Sequence, residues 1–176
     1  ISQIKGCLKY PTTLPIMISG ENGTGKKALV KAICEYADHH RLISDAKSCQ
    51  IIRIPVSYDR QTEMMEALYG KNQMSILEQV QDGYIIFEHA ENLSYEFQML
   101  LKDLIMTNRY EDLYRKQKLK FKGRVLFTVN EKKAKYIQGD LFKLFPVIVK
   151  LPPYEERDLA EKESLIMHFL RSEERR

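Results

Sequence analysis

Gly20-Glu21-Asn22-Gly23-Thr24-Gly25-Lys26-Lys27 has the spacing G-x-x-x-x-G-K. Upstream lies a short apolar run, Leu14-Pro15-Ile16-Met17-Ile18-Ser19, bounded by Pro11 and Gly20, which predicts a buried strand. Downstream, residues 26–40 place Val30, Ile33, Cys34 and Ala37 at helical spacing, which predicts a helix with one apolar face. Strand, glycine-rich turn and helix in that order are the context in which this spacing binds phosphate. Glycines let the backbone curl so that successive amides point inward at oxyanions. The helix N-terminus adds partial positive charge. Lys26 reaches the terminal phosphates as a point charge. The residue after it is Lys27, so the hydroxyl that usually holds magnesium is absent, which counts against a small-molecule kinase.

Outward from this turn, strands and helices alternate. Residues 50–56 are rich in β-branched side chains and predict a second strand. Residues 62–68 predict a short helix stopped by Gly70. Residues 84–87 and 125–129 are continuous apolar runs, as in strands buried on both faces. Between them, residues 94–106 predict a helix, with Phe97, Leu100, Leu101, Leu104 and Ile105 on one side and Ser94 as cap. Residues 147–149 predict a last strand closed by Pro152-Pro153, and residues 158–170 a final helix. The pattern predicts an α/β fold, a mostly parallel sheet flanked by helices.

The chain has 176 residues, which suits one domain over 1–176. Hydrophobic residues make up 44% and charged residues 30%, which argues against wholesale disorder. No apolar run approaches the roughly 18–20 residues that span a bilayer. Three cysteines, Cys7, Cys34 and Cys49, are too scattered for a disulfide framework or a zinc site, so a reducing cytoplasm is expected. A net charge of +4 permits nucleic-acid binding without arguing for it. The chain opens on Ile1 and closes on Glu173-Glu174-Arg175-Arg176, which reads as a fragment of a longer protein.

In phosphate-loop ATPases a second strand ends in an acidic residue that serves magnesium. Here Phe87 is followed by Glu88, the candidate metal-side carboxylate, and then by His89. A histidine near its ordinary pKa of ~6.5 can serve as a base; alternatively His89 only packs at the strand end. Glu91 is a nearby carboxylate that can compensate. Asn130 closes residues 125–129, where a polar side chain meets a terminal phosphate or attacking water, or else caps the segment at Glu131.

Several pieces together resemble the AAA+ domain of sigma-54-dependent transcription activators, a P-loop NTPase core. Residues 17–26 are similar to that family's phosphate loop. Leu68-Tyr69-Gly70 resembles its Leu-Phe-Gly. Ile76-Leu77-Glu78-Gln79 and Asp82-Gly83 resemble the approach to its acidic strand. Residues 125–130 resemble the strand carrying its nucleotide-sensing Asn. Leu151-Pro152-Pro153-Tyr154-Glu155-Glu156-Arg157 resembles its Leu-Pro-Pro-Leu-x-Glu-Arg signature. The spelling of residues 145–162 is most similar to the levanase-operon-regulator subgroup, which carries phosphotransferase-system regulation domains. The resemblance implies ATP and Mg2+ as cofactors, with Gly20, Glu21, Asn22, Gly23, Thr24, Gly25, Lys26 and Lys27 holding phosphates. It implies Glu88 on the metal, Glu88, His89 and Asn130 in the catalytic set, subunits in a ring, sigma-54 as partner, and DNA bound through another domain.

The departures leave two readings: an ATP-binding regulator domain with impaired hydrolysis, or a degenerate nucleotide-binding or structural interaction domain without ATPase or sigma-54 contact. The family's Gly-Ala-Phe-Thr-Gly-Ala loop, which contacts sigma-54, belongs after Gly70. Only Lys71-Asn72-Gln73-Met74 separates Gly70 from Ser75, so the loop is deleted or its residues are missing from the sequence. The family's acidic pair is Glu88-His89 here. The stretch matching its arginine fingers holds Lys143 and no Arg, and that fork is worth ~10³–10⁵ in rate. The helical lid is not evident. Arg115, Lys116, Lys118, Lys120, Lys122 and Arg124 form a basic run that contacts a phosphate backbone or a neighbouring subunit, or is a solvated hairpin or loop before a strand. Tyr95, Phe97 and Met99 fit helix packing, His39-His40 a helix end, and His168 packing or surface.

Overall fold

The apolar runs become the middle of a five-stranded sheet in which every pairing is parallel. The computed structural model describes residues 2–9 and 13–164. In chain order its strands are β1 (Ile16–Gly20), β2 (Cys49–Arg53), β3 (Tyr84–Glu88), a two-stranded antiparallel hairpin of β4 (Arg109–Asp112) and β5 (Gln117–Lys120), then β6 (Arg124–Asn130) and β7 (Val147–Leu151). The helices are α1 (Ser2–Lys9), α2 (Lys26–His39), α3 (Tyr58–Tyr69), α4 (Ile76–Val80), α5 (Tyr95–Thr107) and α6 (Gly139–Phe142). Sheet order is β2-β3-β6-β1-β7.

Alternate strand residues feed two cores, because successive side chains leave opposite faces. Met17, Ile85, Phe87, Val125, Phe127 and Val129 pack on one face, against α3, α4 and α5. On the other face, Ile16, Ile18, Tyr84, Ile86 and Leu126 pack with α1 and α2. This is why β1, β3 and β6 read as unbroken apolar runs.

Two element edges and one helix face differ from the sequence expectation. The second strand ends at Arg53 rather than 56, because Pro55 has no N–H to give a ladder; Val56 is 85% exposed. Helix α3 begins at Tyr58, four residues before position 62, and ends on Gly70 at φ 80°. In the expected helix at 94–106, Ser94 caps as predicted, accepting from Phe97 N at 3.2 Å, but Tyr95 and Leu100 are exposed. The proposed packing role therefore holds for Phe97 and not for Tyr95.

Lys71–Met74 form a tight connection from α3 to α4. A Cβ on Gly70 would meet Gln73 O and Ser75 Cβ at 3.0 Å. Ser75 caps α4, accepting from Glu78 N at 3.1 Å. The basic run is the hairpin: β5 carries Lys118 and Lys120 outward, while Arg124 turns inward and donates to Cys7 O at 3.0 Å. Of the final helix only residues 159–164 are described. The rest of it, including His168, lies outside the described residues.

One buried amide fixes the end of the sheet that carries the site. Gln61, 2% exposed, donates from Nε2 to Pro55 O and Asn92 O, both at 2.7 Å. Its Oε1 accepts from Ser94 N at 2.8 Å. Gln61→Leu strands all three backbone groups, so urea unfolding should show a loss of about 3 kcal/mol, with an unchanged m-value. A loss under about 0.5 kcal/mol would mean that water replaces the amide.

Candidate phosphate-binding site

The C-terminal ends of β1, β2, β3 and β6 lie along one edge of the sheet. Gly20 stands level with Asn130, and Arg53 with Glu88. Open α/β sheets bind ligands at this edge. Residues distant in sequence therefore meet.

The turn from β1 to α2 takes the shape its glycines predict. Gly23 and Gly25 adopt φ of 79° and 89°, and a Cβ on either would meet nothing within 4 Å. The strain is in the backbone angle, which glycine alone adopts cheaply. Thr24 is buried and its Oγ1 donates to Glu21 O at 2.8 Å, closing the turn. Lys26 and Lys27 open α2, where first-turn amides have no partner in the helix. Lys26 Nζ donates to Gly20 O at 2.6 Å and Glu21 O at 2.7 Å. Burial lowers the Lys26 ammonium below the usual lysine range, and the Glu91 carboxylate opposes this. Arg157 donates from Nη2 to Thr24 O, so the loop is also held by the segment after β7.

A cavity of about 670 Å³ is lined by this loop together with Arg53, Glu88, His89 and Thr128. Glu88 is 9% exposed, and its buried Oε1 has no hydrogen-bond partner among the described residues. An orphaned carboxylate oxygen on a residue that shares a cavity with the phosphate loop suits a hydrated cation. The positive loop and the carboxylate thus fit a magnesium-bound polyphosphate, with Lys27 withholding the hydroxyl ligand.

His89 sits at φ 60°, with its N–H directed to Thr128 Oγ1 at 3.3 Å. Its Nδ1 lies 3.3 Å from Glu91 Oε1, and Glu91 Oε2 accepts the Asn130 N–H at 3.1 Å. Glu91, 7% exposed, thereby joins the two strand ends. Sequence reading gave it only a compensating place. The short 3₁₀ turn at Ala90–Asn92 is what swings it beneath Asn130. Asn130 takes the capping role left open for it and also reaches the phosphate loop. Its Oδ1 caps the next turn, accepting from Lys132 N at 3.0 Å, and its Nδ2 donates to Asn22 Oδ1 of the phosphate loop at 3.2 Å. Lys143 lines neither this cavity nor its neighbour.

Fold and site together define an α/β P-loop domain of the AAA+ kind. The model of the sigma-54 interaction domain matches residues 1–149, and the chain belongs to that family. Two relatives support the assignment. The y4pA protein of Sinorhizobium fredii is 28% identical over 184 residues, covering 98% of this chain. DagR of Salmonella typhimurium is 22% identical over 188 residues, also covering 98%. Both bear names of transcriptional regulatory proteins, and this chain spans only 28% and 20% of their lengths. Among solved structures, NtrX from Brucella abortus in complex with ATP superposes at TM-score 0.64, with 18% identity, over 86% of this chain and 36% of that one. Its ADP complex gives 0.63 at 20% identity, over the same shares of the two chains. No helix among the described residues is long and apolar enough to cross a membrane.

Proposed function

We propose that this domain binds ATP with Mg2+ in a sigma-54-type transcriptional regulator and hydrolyses it weakly or not at all. ATP with Mg2+ supplies the phosphoanhydride. Gly23, Gly25 and the first turn of α2 bind phosphate oxygens, and Lys26 leaves its two loop carbonyls to do so. Glu88 orients the metal's water shell through its unpartnered oxygen. Asn130, already bonded to Asn22, senses the terminal phosphate.

The observation that carries slow turnover is His89. A base must reach the attacking water. The His89 backbone is left-handed and its Nδ1 faces Glu91, so the ring is held as a structural partner. Lys143 lacks the guanidinium fork for the neighbouring subunit's site in a ring. The short α3–α4 connection, with four residues between Gly70 and Ser75, supports a domain that does not engage sigma-54 through the family's loop. The spelling of residues 145–162 supports the phosphotransferase-regulated subgroup, with DNA read by another domain of a cytoplasmic protein.

ATP titration and steady-state turnover on the full chain test this reading. The expected result is saturable binding with turnover near background, unchanged in His89→Ala. Steady turnover that disappears in His89→Ala would overturn it, because the imidazole would then be the base.

A further inference from the structure

A second cleft of about 590 Å³ shares Asn22, Arg53 and His89 with the phosphate-loop cavity. It opens between the end of β2, the first turn of α3, and the 3₁₀ turns after β3 and β6. Its size is that of a small-ligand site. Three of its side chains are cations: Arg53, Arg60 and Lys133. All three are exposed, and among the described residues none is paired. Other cations nearby are already neutralised: Lys132 by Glu21 at 3.0 Å and Lys150 by Glu131 at 3.2 Å. The cleft's one carboxylate, Glu91, is turned to His89 and to the Asn130 N–H. Among the described residues of the lining, Arg53, Arg60 and Lys133 against Glu91 leave two net positive charges.

Like charges gathered in a concave surface concentrate anions. Two of the three are arginines, whose planar forks match phosphate oxygens in pairs. Beside them Ile54, Pro55 and Val56 form an apolar strip. We propose that this cleft binds a phosphomonoester as a second ligand, distinct from the nucleotide. Arg53, Arg60 and Lys133 take the dianionic phosphate, and a small organic body covers Val56. The phosphate loop uses a cation of its own, Lys26, and Arg60 and Lys133 line only the second cleft, so substitutions at these three positions separate the two ligands.

The test is calorimetric titration of the full chain with phenyl phosphate and with inorganic phosphate, with and without a saturating non-hydrolysable ATP analogue. Phenyl phosphate should bind one to one in both cases, and several-fold more tightly than inorganic phosphate. The double variant Arg60→Gln/Lys133→Gln should weaken it at least about tenfold, the loss of one charge-assisted bond or more, and leave the analogue's affinity within about twofold. Both positions are exposed, and an unchanged melting curve verifies the fold. Lys26→Ala should leave phenyl phosphate binding intact, so a chain that fails to bind ATP still tests the cleft. Absence of binding, equal affinity in the double variant, or displacement by the ATP analogue would each overturn the proposal.

Discussion

Lys26→Ala should lower ATP affinity by about 100-fold, with little change in melting temperature. Hydrogen bonds to charged partners contribute roughly 1.5–3 kcal/mol each, and Lys26 can give more than one to the terminal phosphates. Against this stands the cost of releasing the Gly20 and Glu21 carbonyls, which Lys26 now holds. Gly20 is buried at the end of β1, whereas Glu21 is half-buried and its carbonyl can turn to water. A net loss of about 3 kcal/mol corresponds to roughly 100-fold. Fluorescent-nucleotide titration of both proteins measures it. Equal affinity in the variant would remove the phosphate loop from the binding site altogether.

Phe87→Ala should cost about 4 kcal/mol of folding stability. Phe87 is fully buried in β3, an interior strand of the sheet. Its ring meets Phe97 of α5 at 6.0 Å and Phe127 of β6 at 5.8 Å, both edge-on at 84°. Removing it opens a cavity where sheet and helix meet, and breaks two aromatic pairs at once. Domains of this kind hold roughly 5–15 kcal/mol in total, so the variant should be partly unfolded near physiological temperature. Urea midpoints give the value. A loss under about 1 kcal/mol would show that α5 collapses into the space. Glu88 follows Phe87 directly, so its buried oxygen should also lose its fixed position.

Much of this architecture is legible because β1, β3 and β6 have helix-covered faces on both sides, and burial on both faces leaves an unbroken apolar signature. The phosphate loop is legible for another reason: left-handed backbone at Gly23 and Gly25 restricts the choice of residue. What periodicity misses has physical causes too. The start of α3, Tyr58-Asp59-Arg60, has no apolar spacing because that turn faces solvent and the cationic cleft. The β4–β5 hairpin hides its alternation under lysines, although Tyr110 and Asp112 point inward. Helix spacing places Leu100 with its neighbours, yet the helix rotates it toward solvent. Glu91 has no sequence signature at all. Its importance depends on the pairing of β3 with β6 and on the turn after β3 that sets it under the Asn130 N–H, and only three-dimensional placement supplies both.

The contact from Arg157 to Thr24 has a mechanical side. Arg157 also holds Pro152 O at 3.2 Å, so the strap after β7 is braced at one end and fastened to the phosphate loop at the other. Helical residues 159–164 follow immediately. One guanidinium thus ties residues 152–157 to a peptide of the phosphate loop, so the loop's backbone is held by a segment more than 130 positions away in the chain.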